Sequence, residues 1–419
     1  MSCATLVLLR RCITSKLPVK YTSATPRLAK SWYNISVKQS IIYLDHAAAT
    51  PLDERVLAAM QPYFADQFYN PSAPYAPAVA VKRAYNEAKH RLAVCIGGQA
   101  SELVMTAGAT ESINLMIGSV GGHIVSSAIE HDAILKTLDN RDATLVMPSR
   151  KGSIAARDIQ AAIRPDTELV TIAIANHELG TIQPLREIAQ VVRAERQRRF
   201  EAGEQMPIYL HTDASQGAGQ LDINVARLGV DALTLNAGKI YGPKQVGLLW
   251  CDRTVRLKPQ VYGGGQERGL RSGTENVAGT VGFATALELV QQHRNSENKR
   301  LCELRDQLQR QLTQAFPWAI VSGDQKRRLA SHLHISFPGI DAERLVFILE
   351  QKGVLAATGS ACAANSGTRS HVLEAIGLAP EAADGSLRLT LGRLSNEETC
   401  AVAGREIIAA VNLEKARLA

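Results

Sequence analysis

A single cysteine lies among small residues in the segment Thr-Gly-Ser-Ala-Cys-Ala-Ala, residues 358–364. Small neighbours favour a loop, and a loop leaves the thiol of Cys362 accessible as a nucleophile. Far upstream, Asp213 and Lys239 each follow an apolar run. A lysine amine can form a Schiff base with a carbonyl cofactor, and a carboxylate can pair with the protonated ring nitrogen of such a cofactor. The three residues together predict an enzyme that forms a Schiff base and completes its reaction on a thiol.

A glycine turn at residues 106–112 could bind the phosphate of such a cofactor. The sequence Thr-Ala-Gly-Ala-Thr-Glu-Ser joins a predicted strand to a predicted helix, with Gly108 at the turn. The helix amino terminus offers N–H groups and a positive dipole end, and Ala109 and Thr110 occupy its first turn. A turn of this kind also occurs without any ligand, so it indicates a phosphate site only in combination with other residues.

Each of the other candidate residues also has a structural alternative. Asp213, at the end of the run Ile208–Thr212, could cap a helix instead of binding a ring nitrogen. Lys239 could lie at the surface, although Lys244 fits that role better. His131 could stack on a cofactor ring or move protons, yet a lone histidine is usually structural. Their shared position after predicted strands favours the functional interpretation.

The elements that must position these residues alternate between buried strands and helices from Ile41 to about Cys251. Helical patterns begin at Thr110 and Ala133 and cover Leu185–Arg199. Continuous apolar strands between helices indicate a mostly parallel sheet that is covered on both faces, with its sites at the carboxyl ends of the strands. We expect the last of these strands to be antiparallel. Apolar runs predict the strands at 103–106, 123–128, 169–175, 208–212, 232–235 and 246–250.

The second part of the chain predicts a smaller domain. One long helix is expected over Val277–Phe316, followed by a strand at His332–Phe337, a helix at Ala342–Lys352 and a strand at Ser386–Leu391. We therefore predict an α/β fold with three parts. These are a basic extension at 1–40, a large cofactor-binding domain at 41–290 and a small α+β domain at 291–419 that carries the Cys362 loop.

The net charge of the chain is concentrated at its start. Residues 1–44 contain seven of the 47 Lys and Arg residues and none of the 40 acidic residues, which leaves 40 residues of each sign in the remainder. A neutral body argues against direct nucleic-acid binding, and no apolar run is long enough to span a membrane. The basic start resembles a mitochondrial transit peptide, and a disordered extension is the alternative.

The seven cysteines are widely scattered, and none forms a Cys-x-x-Cys pair. This pattern is typical of free thiols in a reducing compartment rather than of a disulfide framework. No tight cluster of cysteine and histidine predicts a resident metal. The only metal contact that we consider is a transient one between Cys362 and an iron–sulfur species.

Seven motifs between residues 41 and 410 together resemble the cysteine desulfurases, which are pyridoxal-phosphate enzymes of the class V aminotransferase group. The resemblance implies fold type I of the pyridoxal-phosphate enzymes, with a seven-stranded, mostly parallel sheet. The motifs are Asp-His-Ala-Ala-Ala-Thr-Pro at 45–51, Asn-Pro-Ser at 70–72, Gly-Ala-Thr-Glu-Ser at 108–112, Asp-x-x-Gln at 213–216, Lys-Ile-Tyr-Gly-Pro-Lys at 239–244, Gly-Gly-Gly-Gln-Glu-Arg-Gly-x-Arg-Ser-Gly-Thr at 263–274 and Gly-Ser-Ala-Cys at 359–362.

The resemblance also implies a role for each matching residue. Lys239 would hold pyridoxal phosphate in a Schiff base and act as the base, and His131 would stack on the ring and take part in catalysis. Cys362 would take the sulfur of free L-cysteine as a persulfide, and L-alanine would leave. Asn70 and Arg388 would bind the substrate carboxylate. The cofactor-binding residues would be Ala109, Thr110, His131, Asn176, His177, Asp213, Gln216, Asn236, Lys239 and, from the neighbouring subunit of a homodimer, Thr274.

Several positions depart from the residues that are usual in this family. His177 occupies the position of a ring-contacting asparagine in Ala-Asn-His-Glu-Leu-Gly, residues 175–180. Asn236 and Gly238 replace the serine and histidine of the Ser-x-His that usually precedes the lysine, and Gln245 replaces a glycine. An imidazole can still donate a hydrogen bond, and Asn236 can still reach a phosphate. We therefore expect altered cofactor tuning and altered turnover rather than a lost site.

The resemblance implies that the persulfide sulfur passes to an acceptor protein, such as an iron–sulfur scaffold or a thiolation enzyme. The short segment after residue 410 does not identify that acceptor. We expect a cytoplasmic protein, or a mitochondrial-matrix protein if residues 1–40 are a transit peptide. One alternative is a selenocysteine lyase or another class V lyase or transaminase, and a plain transaminase would not need Cys362. Another is a degenerate cofactor-binding assembly partner, which the changes at 177, 236 and 238 would favour.

Overall fold

The strands form three sheets across the residues that the computed structural model describes, 41–359 and 369–419. The extension at 1–40 and Cys362 lie outside the described residues, so what the sequence predicts for them stays a prediction. The strands are β1 Ile42–Tyr43, β2 Leu103–Thr106, β3 His123–Ser127, β4 Ala143–Val146, β5 Thr167–Thr171, β6 Tyr209–Asp213, β7 Ala232–Asn236, β8 Gly247–Cys251, β9 Ile320–Val321, β10 His332–Ser336, β11 Val354–Leu355 and β12 Ser386–Thr390.

Helices flank these sheets, and several begin at a side chain that caps the first free N–H groups. Two such caps are Asp341, which accepts two N–H groups of the first turn, and Asn396, which accepts the N–H of Thr399. The helices in the described residues are α1 Glu54–Met60, α2 Pro62–Ala65, α3 Ala76–Ile96, α4 Ala109–Ser119, α5 Asp132–Leu138, α6 Ala156–Ala162, α7 Leu185–Glu201, α8 Val225–Leu228, α9 Val277–Gln292, α10 Arg294–Ala315, α11 Ala342–Gln351, α12 His371–Ala375, α13 Pro380–Asp384 and α14 Glu397–Leu418.

The largest sheet has seven strands in the order β2-β8-β7-β6-β5-β3-β4. Adjacent strands from β4 to β7 pair in parallel, and β8 runs antiparallel to both of its neighbours. Both faces are buried, because Leu103 and Met105 pack in one hydrophobic cluster while Val104 between them packs in another. The predicted mostly parallel, seven-stranded sheet and its antiparallel strand are confirmed.

The prediction of one long helix over Val277–Phe316 is wrong. The structure has two helices, α9 and α10, which are separated at His293, where φ is −98° and ψ is 6°. Buried residues of α9 such as Phe283 pack with the helices against the large sheet, whereas Leu304 and Leu308 of α10 pack in a different cluster. The break therefore lies where the chain leaves one hydrophobic core for another.

The second core is built around the sheet β12-β10-β9, whose strands are antiparallel. It also includes Ile42 and Leu44 from the start of the described chain, because β1 pairs with β11. The predicted domain boundaries near residues 40 and 290 stay predictions. None of the helices in the described part of the chain combines the length and apolar character that crossing a bilayer requires.

Candidate active site

Most of the predicted site residues converge at the carboxyl ends of the parallel strands. The chain reaches His131 after β3, His177 after β5 and Lys239 after β7, and β6 ends at Asp213. Strands that run in parallel end at the same edge of a sheet, so residues distant in sequence meet there. A cavity of about 330 Å³ opens at this edge. The predicted residues that line it are Ala109, Thr110, His131, His177, Asp213, Gln216, Asn236, Lys239 and Arg388.

The Lys239 amine is held by backbone carbonyl groups. Its Nζ donates hydrogen bonds to the carbonyl oxygens of Ala47, at 2.8 Å, and Ala48, at 2.7 Å. The lysine ends a short 3₁₀ turn directly after β7, and the carboxamide oxygen of Asn236 caps that turn by accepting the Gly238 N–H at 3.0 Å. The backbone that carries the amine is therefore fixed by β7 and by this cap.

Two histidines of the cavity wall are uncharged at neutral pH. Burial lowers the pKa of His131, and burial lowers the pKa of His177 well below its usual value, with the nearby His131 adding to the effect. The Nδ1 atom of His131 accepts the Ala133 N–H at 3.0 Å, so the proton of its neutral ring is on Nε2. The two ring centroids are 5.2 Å apart. Such neutral rings can pack on a flat aromatic cofactor without charge repulsion.

The acidic and amide residues of the cavity have defined partners. The carboxylate of Asp213 accepts the N–H of Ser215 at 2.9 Å, and Gln216 Nε2 donates to the carbonyl oxygen of Ala47 at 3.1 Å. Thr212 and Ser215 carry buried hydroxyl oxygens without a hydrogen-bond partner among the described residues. A buried polar atom left unpaired is unfavourable, so the hydroxyl of Ser215, which lines the cavity, suits a site that a polar ligand completes.

A second cavity, of about 600 Å³, adjoins the first and shares Ala109, Thr110 and Lys239 with it. It includes the amino-terminal turn of α4, where Gly108 is the capping residue and has φ of 145°. Glycine has no side chain that could bond the first N–H groups of the helix. These groups and the helix dipole therefore remain available to an anion such as a phosphate.

Arg388 is a buried arginine at the edge of the cavity. Its side chain is 3% exposed, its Nη2 pairs with the Asp45 carboxylate at 2.7 Å, and its Nη1 donates to the carbonyl oxygen of His177 at 3.3 Å. Its Nε has no hydrogen-bond partner among the described residues. A guanidinium with an unused donor at the rim of a cofactor cavity suits a substrate carboxylate.

Three of the predicted site residues that the structure describes, Asn70, Thr274 and Asn176, are not brought into this cavity. Asn70 is exposed and its side chain caps the Ser72 N–H, and Thr274 is exposed as well. Asn176 is buried, but its carboxamide bonds the backbone of Ile129, Glu178 and Leu179 instead. Cys362 lies outside the described residues. The structure thus places His177, rather than the asparagine before it, in the cavity wall.

Sequence reasoning gave no role to Asp45, Ala47 or Ala48, although they lie in one of the motifs. Asp45 binds Arg388, and the two alanine carbonyls bind Lys239. A signal for Asp45 was its position directly after the apolar run Ile41–Leu44. The alanines gave no signal, because their contribution comes from backbone atoms that every residue type has.

Gln245, which replaces a usual glycine, has a φ of 59°. This left-handed conformation strains a residue with a Cβ atom, at a cost of about 1–2 kcal/mol. We expect Gln245→Gly to raise the free energy of unfolding by about 0.5–1 kcal/mol, because the relief exceeds the greater flexibility of glycine in the unfolded chain. Urea denaturation with saturating cofactor measures this. Gln245→Ala is the control, because it keeps the strain and should give no gain; equal gains in both variants would contradict the argument.

The residues of the two cavities fit pyridoxal phosphate. The uncapped first turn of α4 and Thr110 suit the phosphate, Asp213 suits a protonated ring nitrogen, and the Lys239 amine suits the aldehyde. His131 offers a neutral ring for stacking. Each chemical group of the cofactor thus has a matching residue at the same sheet edge.

Comparison with known proteins agrees with this geometry. A family model described as "Aminotransferase class-V" matches residues 42–400. The curated "Cysteine desulfurase IscS" of Dictyoglomus turgidum is 37% identical over 369 residues, which are 85% of this chain and 91% of that protein. A solved structure titled "NIFS-LIKE PROTEIN" has a TM-score of 0.81 at 28% identity and covers 89% of this chain and 100% of its own. The structure titled "SspA in complex with cysteine" has a TM-score of 0.70 at 35% identity, over 83% and 98% of the two chains.

These matches confirm the resemblance that the motifs indicated, and with it the fold type and the dependence on pyridoxal phosphate. The roles of the single residues stay predictions, because a match over the whole chain does not test them one by one.

Proposed function

The chain belongs to the class V aminotransferase family, and we propose that it is a cysteine desulfurase. The observation that carries the proposal is one cavity that joins Lys239, Asp213 and His131 to the buried arginine Arg388. The first three suit the cofactor and the fourth suits an amino-acid carboxylate. The proteins named cysteine desulfurase that resemble this chain over most of its length support the same reaction.

The overall reaction converts L-cysteine and the thiol of Cys362 into L-alanine and a persulfide on Cys362. The thiolate of Cys362 forms an S–S bond to the substrate sulfur, and the bond between that sulfur and the β carbon breaks. The electron pair of the broken bond stays on the β carbon, which takes up a proton. No outside oxidant or reductant is needed, because the enzyme sulfur is oxidised as the carbon is reduced.

Each residue of the cavity has a separate role in this reaction. When bound, pyridoxal phosphate supplies an electron sink that weakens the bonds at the α and β carbons of the amino acid. Arg388 binds the carboxylate, Lys239 removes the α proton and Asp213 stabilises the protonated ring nitrogen. The uncharged ring of His131, in the cavity wall, would pack on the bound cofactor and exclude water from one of its faces.

The other cysteines in the part of the chain that the structure describes are poor candidates for the sulfur carrier. None of the four free cysteines in the described residues lines the cofactor cavity. Burial raises the pKa of Cys95 to about 11 and that of Cys400 to about 11, so these thiols hold their protons at neutral pH. Ser370, which follows the segment of Cys362, donates a hydrogen bond to Glu178, the neighbour of the cavity residue His177, and Gly359 before the segment lies beside the same carboxyl group.

The test is a paired product assay on the enzyme loaded with pyridoxal phosphate. With L-cysteine and a reductant, we expect equal amounts of alanine and sulfide, and we expect Cys362→Ala to lower both about 10³-fold, because the sulfur acceptor is lost. Cys95→Ala is the control and should keep wild-type rates.

Either of two other outcomes would argue against the proposal. Alanine that persists in Cys362→Ala would indicate a lyase in which this cysteine is secondary, and L-selenocysteine as substrate would then identify a selenocysteine lyase. A wild-type enzyme that binds the cofactor and forms no product would favour the degenerate assembly partner.

We also propose that the enzyme is a homodimer in which Thr274 reaches the phosphate site of the second copy. Thr274 is exposed and lines neither of the two cavities described above, which supports a contact with another subunit. The nearby side chain of Tyr262 is 80% exposed, a large aromatic surface for a monomer. Sedimentation at twice the chain mass of 45.3 kDa is the expected result, and a monomeric active enzyme would exclude it.

The persulfide sulfur is proposed to pass to an acceptor protein, either an iron–sulfur scaffold or a thiolation enzyme, in the cytoplasm. Residues 1–40 fused to a reporter protein test the alternative, because import of the reporter into mitochondria would place the enzyme in the matrix.

A further inference from the structure

Glu178 is a buried acidic residue beside the cofactor cavity that the proposed reaction does not use. Its side chain is 0% exposed, and its Oε2 accepts a hydrogen bond from the Ser370 hydroxyl at 2.7 Å. Its Oε1 lies 3.7 Å from His177 Nε2 and has no hydrogen-bond partner among the described residues. Burial raises the pKa of this carboxyl. A buried carboxyl group is costly, so its position calls for a structural or functional reason.

The Glu178 carboxyl lies where the two flanks of the Cys362 segment meet. A Cβ atom added to Gly359 would lie 3.3 Å from Glu178 Oε2 and 3.9 Å from Ser370 Cβ. Gly359 also has a φ of 110°, a conformation that glycine adopts without strain. One carboxyl oxygen thus accepts a hydrogen bond from Ser370 on one flank and lies so close to Gly359 on the other that a side chain there would press against it.

Each flank is also attached to a residue of the active site. Before the segment, Ala357 exchanges backbone hydrogen bonds with Arg388, at 2.7 and 3.4 Å. After the segment, His371 Nε2 donates to the carbonyl oxygen of Glu130, directly before His131, at 2.9 Å. Hydrogen bonds therefore connect one flank of the segment to Arg388, the proposed carboxylate-binding residue, and the other flank to the backbone next to His131, the proposed ring-stacking residue.

Glu178 itself is held firmly by its own turn. Asn176 accepts the N–H groups of Glu178 and Leu179 with its carboxamide oxygen, at 3.0 and 2.8 Å. The same turn places His177 in the cavity wall. A shift of the Glu178 side chain would therefore move the flanks of the segment relative to the cavity, while the turn stays in place.

We propose that Glu178 is a positioning residue for sulfur transfer, which fixes the flanks of the Cys362 segment against the wall of the cofactor cavity. This inference rests on the proposed function, since it assumes that Cys362 takes the sulfur. The positioning role requires a hydrogen-bond acceptor with the shape of the glutamate side chain, and it does not require a charge. Glutamine at position 178 therefore preserves this role. Alanine leaves the Ser370 hydroxyl without its partner and removes the carboxyl group that lies beside Gly359.

The experiment compares Glu178→Ala, Glu178→Gln, Ser370→Ala and the double alanine variant as cofactor-loaded enzymes. We expect Glu178→Ala to lower kcat about 10²-fold, because a displacement of about 1 Å between reacting atoms has that effect. KM for L-cysteine should stay within about twofold, because substrate binding is not changed. The cofactor absorbance spectrum should stay unchanged. Glu178→Gln should restore most of kcat, and Glu374→Ala, an exposed glutamate on α12, should match the wild type.

The double variant distinguishes one shared contact from two separate effects. If both residues act through their mutual hydrogen bond, the double variant loses no more activity than Glu178→Ala alone. A second readout is the rate at which iodoacetamide labels Cys362, measured on the isolated peptide by mass spectrometry. This rate should change in Glu178→Ala and stay at the wild-type value in Glu178→Gln.

Wild-type kcat in Glu178→Ala or in Ser370→Ala would overturn the inference. So would a loss in Glu178→Gln as large as that in Glu178→Ala, since the charge and not the position would then matter. If Glu178→Ala does not fold, the kcat values of Ser370→Ala and Glu178→Gln test the inference instead. Failure of the proposed function would give a different result. Cys362→Ala would then still produce alanine, independently of the results for the Glu178 variants.

Discussion

Replacing Lys239 with alanine is expected to lower kcat for L-cysteine about 10³-fold, because the variant loses the group that moves the α proton. The amine is the group best placed for this task, since two backbone carbonyls hold it at 2.7 and 2.8 Å within the wall of the cavity. The variant should also lose its covalent link to the cofactor. Borohydride reduction followed by mass spectrometry checks this, because the wild type should carry the cofactor on the peptide of Lys239.

A surface lysine provides the matched control for this variant. Lys136, whose side chain is 74% exposed, should give wild-type kcat and wild-type labelling when replaced by alanine. If Lys239→Ala kept the imine absorbance of the cofactor, or if the reduced cofactor were found on another lysine, the assignment of Lys239 would be wrong.

Arg388→Lys is the second substitution with a large expected effect. We expect kcat/KM for L-cysteine to fall about 10²-fold, mainly through KM, because truncating a buried charged hydrogen-bond partner costs about 2–5 kcal/mol. The ammonium group of lysine can keep the ion pair with Asp45. It lacks the planar guanidinium group of arginine, whose Nε has no hydrogen-bond partner among the described residues. Initial rates over a range of L-cysteine concentrations separate KM from kcat.

Two comparisons make the Arg388 result specific. Arg157→Lys, at a side chain that is 87% exposed, should leave both constants unchanged. Thermal unfolding of Arg388→Lys should stay close to the wild type, because Asp45 keeps a cationic partner. A fall in kcat at unchanged KM would mean that Arg388 acts on the reaction step rather than on the substrate carboxylate.

Much of the large sheet could be predicted from the sequence, because its strands are continuous apolar runs between helical patterns. The predicted strands near 103, 123, 208, 232 and 246 all occur, with ends shifted by at most one residue. The predicted run at 169–175 gives a strand only up to Thr171, since the chain then turns towards Asn176. The strand β4 was not predicted, because it lies at the edge of the sheet and is only partly buried.

The break at His293 shows what local patterns cannot reveal. Both α9 and α10 have helical sequences, so the local pattern continues across the boundary. The break becomes necessary only because the two helices pack in different hydrophobic cores.

For the active site, the sequence by itself determined which chemical groups are present and that they follow strands. It identified Lys239, Asp213 and His131 as candidates, because residues after parallel strands converge at one sheet edge.

Only the tertiary structure determined which of these groups are in contact with one another. It paired Arg388 with Asp45, turned Asn176 towards the backbone and His177 towards the cavity, and brought Glu178 to Ser370. The physical reason is distance along the chain: Asp45 and Arg388 are 343 residues apart, and Glu178 and Ser370 are 192 apart. No local pattern encodes contacts over such separations, because they exist only once the two cores have packed.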